Sequence, residues 1–275
     1  MPDAAPLRHL EHQGCRLAYR VTGSGEPALF IQGVATQGDG WAPQTQALAD
    51  AYACLSFDNR GMGASQPFRL PLTIAQMADD ARALADAQGW QRVHVVGHSL
   101  GGLVAQLFAL TWPQRVRSLS LLCTFARGKS AASSPRMMWI GLRTRIGTRA
   151  MRRRAFLEIV YPPAFLAASD RDALARALEP VFGHDLADTP RVTAAQIAAM
   201  VACNVTERLP ELRTVPTLVV SGRHDPIAPT PLGRRIADAI PGALFVEMPD
   251  AAHGVPVHFA AETNRLLRAH FAAAR

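Results

Sequence analysis

Residues 93–102 read VHVVGHSLGG, which places one serine among three glycines directly after a short apolar run. Glycine inside a helix or strand costs about 0.5–1 kcal/mol relative to alanine, so glycines collect where the backbone turns sharply or approaches other atoms closely. Ser99 stands in the pattern G-x-S-x-G, and the helical pattern LVAQLFALTW follows it. The stretch is therefore either a turn that happens to contain a serine or a strand-to-helix turn that presents one.

Short apolar runs alternate with longer helical patterns along most of the chain. The runs that read as strands are 16–21, 28–33, 53–58, 93–98, 119–125, 217–222 and 243–248. The patterns that read as helices are 73–90, 100–111, 231–240 and 257–273. This alternation predicts an α/β fold, in which a mostly parallel sheet is flanked by helices on both faces.

Residues 127–212 interrupt this alternation, because they contain helical patterns but no convincing strand. We predict a core formed by residues 1–126 and 213–275, with residues 127–212 inserted between two strands as a helical cap. An insertion at the carboxyl ends of parallel strands would lie over the edge where open α/β sheets bind ligands.

The composition narrows the class of protein. The chain has 275 residues and is 49% hydrophobic, which excludes a disordered protein. Its four cysteines form no CxxC or Cys/His cluster, so we expect free thiols and no metal site.

No nucleotide-binding motif occurs, and we therefore expect no cofactor. The first residues lack the pattern of a signal peptide, and we expect a cytoplasmic protein.

The net charge of +7 comes from one segment. Residues 127–157 hold nine Lys and Arg but no Asp or Glu, which leaves 20 basic and 22 acidic residues elsewhere. We therefore expect no nucleic-acid partner, and the sequence leaves the oligomeric state open.

Part of this basic segment, MMWIGLRTRIGTRAMRRRAFLEIV, has the pattern of an amphipathic helix. One face would carry Arg145, Arg149 and Arg152. Another face would carry Met138, Leu142 and Ile146. We expect a cap helix whose apolar face lies on the substrate pocket and whose arginines are solvated. The alternative is a helix that lies on an anionic membrane.

Two further strand ends carry the partners that a serine nucleophile needs. A serine hydroxyl requires a base, and the base requires an acid that orients it. LVVSGRHDP ends a predicted strand with Asp225, and FVEMPDAAHG follows the next strand and contains His253. The three residues occur in the chain order Ser, Asp, His, which is the order of α/β-hydrolases.

The chain resembles the α/β-hydrolase fold family over roughly residues 14–273. The matching segments are FIQGV, FDNRGMGAS, VVGHSLGG, SGRHDP and AAHG. The resemblance implies that Ser99 is the nucleophile, Asp225 the acid and His253 the base. It also implies that residues 127–212 form the helical cap of the family.

We expect the oxyanion hole to combine the backbone N–H groups of Leu100 and Val34. The sequence departs from the family at Gln32-Gly33, where the usual pattern is His-Gly. We interpret Gln32 as a structural substitute, because its amide offers the donor and acceptor of a neutral histidine.

The predicted function is hydrolysis of carboxylic esters, lactones or thioesters through an acyl-serine intermediate. The same triad serves carbon–carbon bond hydrolases and cofactor-free perhydrolases, and a ligand receptor can retain it as a vestige, so these alternatives stay open. The membrane surface remains a possible but disfavoured partner beside a small ester-like substrate. The predicted pocket residues are Gln32, Trp41, Phe125, Met138 and Met200.

Overall fold

The computed structural model describes residues 5–131 and 133–274. Residues 1–4 and 275 of the predicted core and residue 132 of the predicted cap lie outside the described residues. The described strands are β1 (Arg8–His12), β2 (Cys15–Thr22), β3 (Glu26–Ile31), β4 (Tyr52–Phe57), β5 (Val93–His98), β6 (Val116–Leu122), β7 (Thr217–Gly222) and β8 (Leu244–Met248).

All eight strands form one sheet, in the order β1-β2-β4-β3-β5-β6-β7-β8. Strands β1 and β2 pair in antiparallel fashion, as do β2 and β4. Every other neighbouring pair is parallel. The predicted fold class is therefore confirmed as a mostly parallel sheet flanked by helices.

The described helices are α1 (Ala42–Leu48), α2 (Ile74–Ala87), α3 (Leu100–Thr111), α4 (Pro135–Arg143), α5 (Arg149–Val160), α6 (Pro163–Ala167), α7 (Arg171–Phe182), α8 (Thr193–Ala202), α9 (Thr230–Ala239), α10 (Val255–His258) and α11 (Ala260–Ala273). Helices α2, α3 and α9 cover one face of the sheet, and α1 and α11 cover the other. Among the described residues, no helix combines the length and apolar character needed to cross a membrane.

Side chains that alternate along the strands build two separate cores. Leu29 and Ile31 of β3 pack in the core that includes α2, α3 and α9. Ala28 and Phe30 of the same strand pack in the opposite core, beneath α1 and α11. This period of two is what a sheet buried on both faces requires.

The sequence patterns missed strand β1 and helix α1. Strand β1 reads RHLEH and is mostly exposed at the edge of the sheet, so it lacks the apolar run that marks a buried strand. The turn at Gln13 and Gly14, where φ is 46° and 70°, joins it to β2 as a hairpin.

Helices α4 to α8 lie between β6 and β7, within the segment predicted as a cap. The single long helix expected there is interrupted after Arg143 and resumes at Arg149. Thr148 begins the second helix, since its side chain accepts a hydrogen bond from Met151 N–H.

A neutral histidine lies in the core between the sheet and α11. His94 is fully buried, its Nδ1 is 2.8 Å from Ser118 Oγ, and its ring stacks on Phe271 at 4.3 Å. Burial lowers the pKa of His94 to about 4, whereas an ordinary histidine titrates at about 6.5.

The stability of the protein should therefore fall in mild acid. The unfolded chain takes up the proton first, so the contribution of His94 is complete above about pH 6.5 and declines as the pH falls towards 4. Between pH 7 and pH 5, we expect His94 to lower the free energy of unfolding by roughly 1–2 kcal/mol. Urea unfolding should therefore show a smaller change in the free energy of unfolding between these pH values for His94→Gln than for the wild type. An equal difference in both proteins would contradict this assignment.

Candidate active site

Ser99 occupies the sharp turn between strand β5 and helix α3. Its φ of 55° and ψ of −119° lie outside the regions that residues with side chains usually adopt. Two hydrogen bonds hold this strained backbone: Ser99 N–H donates to Leu122 O at 3.0 Å, and Thr124 Oγ1 donates to Ser99 O at 2.6 Å. The turn presents the serine hydroxyl to a cavity beneath the cap helices.

The glycines around Ser99 are required by close backbone contacts. A Cβ atom on Gly97 would lie 2.3 Å from Gly101 O, and one on Gly101 would lie 2.1 Å from Ile31 O. Distances this short exclude any side chain unless the backbone moves. The glycine cluster therefore belongs to a turn that brings the start of α3 against the end of β3.

Asp225 and His253 are joined by a hydrogen bond of 2.7 Å between Oδ2 and Nδ1. The other carboxylate oxygen, Oδ1, accepts from the N–H groups of Ile227 and Ala228 at 2.8 and 2.9 Å. This arrangement directs His253 Nε2 away from the carboxylate, and His253 lines the same cavity as Ser99. No hydrogen bond between described residues joins Ser99 Oγ to His253, and such bonds are often formed only when substrate binds.

The surroundings keep Asp225 ionised and a neighbouring histidine neutral. Burial acts to raise the pKa of Asp225, but His253 and the N–H groups of Ala228 and Ile227 outweigh it and hold the pKa below its ordinary value. His98 Nε2 donates to the backbone oxygen of His253 at 2.9 Å. Burial, aided by the nearby His253, lowers the pKa of His98 to about 3. His98 thus links the turn at Ser99 to the loop that carries the base.

Two backbone N–H groups are available for an oxyanion. Among the described residues, neither Val34 N–H nor Leu100 N–H has a hydrogen-bond acceptor. Leu100 is the first residue of α3, so its N–H is one of those that a helix leaves unpaired. Gln32 is buried, and its Oε1 accepts from Gly33 N–H at 3.3 Å, so that oxygen is turned towards its own loop.

The cap holds the loop that carries Val34, a feature that the sequence patterns missed. Gln196 of α8 is fully buried, and its Oε1 accepts from Ala35 N–H at 2.9 Å. His184 Nε2 lies 3.0 Å from Ala35 O. Ala35 itself has a φ of 56°, so both cap residues stabilise a turn that an alanine rarely adopts. No local motif marks Gln196, since the contact spans 161 residues of sequence.

The cavity beside Ser99 and His253 has a volume of about 290 Å³. Gln32, Val34 and Met200 line it, in agreement with their predicted positions. Trp41 does not line it, because its side chain is fully buried between Phe30 and His98. The prediction of Trp41 as a pocket residue is therefore wrong.

Phe125 and Met138 also lie outside the cavity. Phe125 is fully buried in the core that contains α3. Met138 is 68% exposed, because α4 turns its neighbour Met137 towards the cavity instead. The predicted face of Met138, Leu142 and Ile146 thus points away from the pocket, which reverses the expected orientation of this cap helix.

The arginines of the cap differ in their surroundings. Arg149 pairs with Asp185 at 2.6 Å and with Asp188 at 2.8 Å. Arg145 lines the cavity and has no ion-pair partner among the described residues. The expectation of solvated arginines is therefore wrong for Arg149, whose charge is paired with acidic residues that follow the basic segment. Arg145 is exposed, as expected, but it also lines the cavity.

One group of possible metal ligands occurs among the described residues. The ligand atoms of His98, Cys123 and His253 lie within 4.8 Å of one another. Burial raises the pKa of the Cys123 thiol well above its ordinary value, and His98 Nε2 already faces the oxygen of His253. A protonated thiol is a poor ligand, so this donor set does not favour a metal.

Comparison with known proteins identifies the family. A family model described as alpha/beta hydrolase fold matches residues 27–257. The chain belongs to the alpha/beta hydrolase family. This alpha/beta hydrolase is 32% identical to a protein of Azorhizobium caulinodans that carries the name of a carbamate hydrolase, RutD, over 86% of this chain and 88% of that protein.

Two solved structures share the whole fold. A hydrolase from Pseudomonas aeruginosa matches with a TM-score of 0.81 and 30% identity over 98% of this chain and 99% of that chain. An enol-lactonase from Burkholderia xenovorans matches with a TM-score of 0.81 and 26% identity over 96% of this chain and 100% of that chain. The chain is thus a hydrolase by family.

Loss of the Gln196 acceptor should impair turnover more than substrate binding. We expect Gln196→Met to lower kcat by roughly tenfold or more, because Val34 N–H would no longer be held in place. Complete loss of one oxyanion-hole donor lowers kcat by about 10²–10³, which sets the upper end of the expected effect. Steady-state kinetics on a neutral ester would measure this change. Gln46→Met, at an exposed position of α1, is the matched control. An equal kcat in the wild type and Gln196→Met would contradict the positioning role.

Proposed function

We propose that this alpha/beta hydrolase cleaves carboxylic esters, including lactones, through an acyl-Ser99 intermediate. The observation that carries the proposal is the 2.7 Å hydrogen bond between Asp225 and His253, at a cavity that Ser99 also lines. A serine beside a base that is oriented by an ionised acid is the arrangement used for acyl transfer.

The proposed reaction begins with attack of Ser99 Oγ on the substrate carbonyl carbon, while His253 Nε2 accepts the hydroxyl proton. Negative charge then develops on the carbonyl oxygen, where Val34 N–H and Leu100 N–H would donate to it. The C–O bond breaks, and His253 returns the proton to the leaving alcohol. Water, activated by the same histidine, hydrolyses the acyl-serine and restores the enzyme.

The cavity supports a substrate of modest size. Its 290 Å³ are close to the lower limit of the roughly 300–1,000 Å³ that ligand pockets usually have. Its apolar lining residues include Met137, Phe156, Ile159, Ile197 and Met200. An apolar pocket gains about 1–3 kcal/mol for each added methylene that it accommodates. We therefore propose that medium-length or aromatic acyl groups are preferred to acetate.

The relatives support hydrolysis of an acyl bond, but their names give different substrate classes. A lactone is a cyclic ester, so the similarity to an enol-lactonase favours an ester-type bond. The similarity to a protein named as a carbamate hydrolase points to an acyl carbon that also bears nitrogen. A panel of esters graded in acyl length, with lactones and carbamates beside them, would separate these substrate classes.

Removal of the Ser99 hydroxyl should abolish turnover. We expect Ser99→Ala to lower kcat by roughly 10⁴–10⁶ on any substrate of the panel that the wild type cleaves. A fluorophosphonate should label the wild type once, and intact-mass and peptide analysis should place the adduct on Ser99. Ser24→Ala, an exposed turn position, is the control. An adduct on another residue would contradict the proposal.

The acid limb of kcat/KM should follow a single proton. His253 must be neutral to accept the serine proton, whereas Asp225, whose pKa is lowered, stays ionised and His98, whose pKa is about 3, stays neutral. We expect log kcat/KM to fall with a slope of one on the acid side of the profile. Circular dichroism at each pH would verify folding, and a flat profile in the folded enzyme would contradict the role of His253.

A further inference from the structure

The outer face of helix α4 carries a group of exposed apolar side chains. Of the ten large apolar side chains that are exposed among the described residues, five fall between positions 138 and 151. They are Met138, Trp139, Leu142, Ile146 and Met151, with exposed fractions of 68, 60, 48, 54 and 59%. We call these five residues the outer apolar surface.

Helix geometry makes this surface continuous. At 3.6 residues per turn, Met138, Trp139 and Leu142 lie within about 100° of one another around the axis of α4. The turn that follows Arg143 keeps Ile146 beside them, because Ile146 N–H donates to Leu142 O at 3.3 Å. The opposite side of the helix, with Met137 and Gly141, lines the cavity.

Met151 of α5 adjoins the same surface. A Cβ atom on Gly147 would lie 3.1 Å from Met151 Sδ, so this side chain folds back on the turn that follows Ile146. Ile146 and Met151, on the two sides of the turn at Gly147, therefore lie next to each other on the exposed surface. A soluble surface rarely collects exposed apolar groups without a binding role.

Cations flank the outer apolar surface on both sides. Around the axis of α4, Arg136 falls on the side of Trp139. Arg145 lies in the turn after α4, where its N–H donates to Leu142 O at 3.0 Å. Both arginines are exposed, and neither has an ion-pair partner among the described residues. No Asp or Glu occurs between residues 127 and 157, and the carboxylates that follow this segment pair with Arg143, Arg149, Arg153 and Arg154, so Arg136 and Arg145 keep their charge beside this surface.

We propose that the outer apolar surface docks on an anionic lipid surface, with α4 lying in the plane of the headgroups. An apolar stripe that contains tryptophan and is flanked by arginines has the composition of helices that bind at such interfaces. A symmetric dimer through this face is disfavoured, because it would bring Arg136 and Arg145 of each copy towards the same arginines.

Docking on lipid would bring the active-site cavity close to the headgroups. The cavity lies on the other side of α4, and a helix with its side chains is about 10–12 Å thick. Arg145 takes part in both places, since it lines the cavity and flanks the outer apolar surface. A substrate dissolved in the lipid phase would therefore have a short path to Ser99.

Vesicle co-sedimentation of the full chain tests this proposal. We expect the wild type to bind phosphatidylcholine vesicles that contain phosphatidylglycerol, to bind pure phosphatidylcholine at least tenfold more weakly, and to dissociate as salt is added. The triple variant Met138→Ser, Trp139→Ser, Leu142→Ser should lose at least tenfold in affinity. Arg136→Gln should lose about fivefold, as expected for one cation near an anionic membrane.

The matched control removes exposed apolar groups elsewhere. The double variant Leu70→Ser, Leu244→Ser changes residues that are 73 and 58% exposed and should bind vesicles as the wild type does. The fluorescence emission of Trp139 should shift to the blue when the protein binds vesicles. The variant Trp139→Phe should lack this shift but still bind. This measurement does not depend on whether the triple variant folds.

Three results would overturn the proposal. The first is equal binding to neutral and anionic vesicles. The second is unchanged binding by the folded triple variant together with an unshifted Trp139 emission. The third is absence of vesicle binding, whether the protein is monomeric or forms dimers that the triple variant disrupts in sedimentation velocity.

Discussion

The contact between the first turn of α3 and the end of β3 is the constraint on which the active site depends. A Cβ atom on Gly101 would lie only 2.1 Å from Ile31 O, so the backbones of α3 and β3 approach too closely to leave room for a side chain. This approach sets the N–H of Leu100 beside the loop that begins at Gln32. A side chain at residue 101 would therefore force the first turn of α3 away from the end of β3 and separate Leu100 N–H from this loop.

The positions of Ser99, Asp225 and His253 could be predicted because each follows a strand of a parallel sheet. The carboxyl ends of such strands meet at one edge, so chain order and strand ends were enough to bring the three together. The seven predicted strands correspond to β2–β8. Strands β4 to β7 are buried along nearly their whole length, and such strands are marked by continuous apolar runs. Strand β1 was missed because its alternation of polar residues resembles a loop.

The arrangement of the cap could not be read in the same way. Helix α4 carries apolar residues around most of its circumference, and periodicity alone gives no reason to prefer Met137 over Met138 as the buried residue. The alanine-rich helix α8 hides Gln196, whose role depends on a contact with Ala35 that no local pattern encodes. Both errors concern packing between segments that are distant in sequence.

The hydrogen bonds of Gln196 and His184 to Ala35 join the inserted helical segment to the loop of the proposed oxyanion hole, so this segment does more than cover the cavity. A cap transplanted from another member of the fold would bring its own pocket but would leave both polar groups of Ala35 without these partners. A recombined chain could then fold and bind ligand while its Ala35 turn, and with it Val34 N–H, was no longer held in place. Exchanges of side chains within the insertion that preserve Gln196 and His184 would keep this turn.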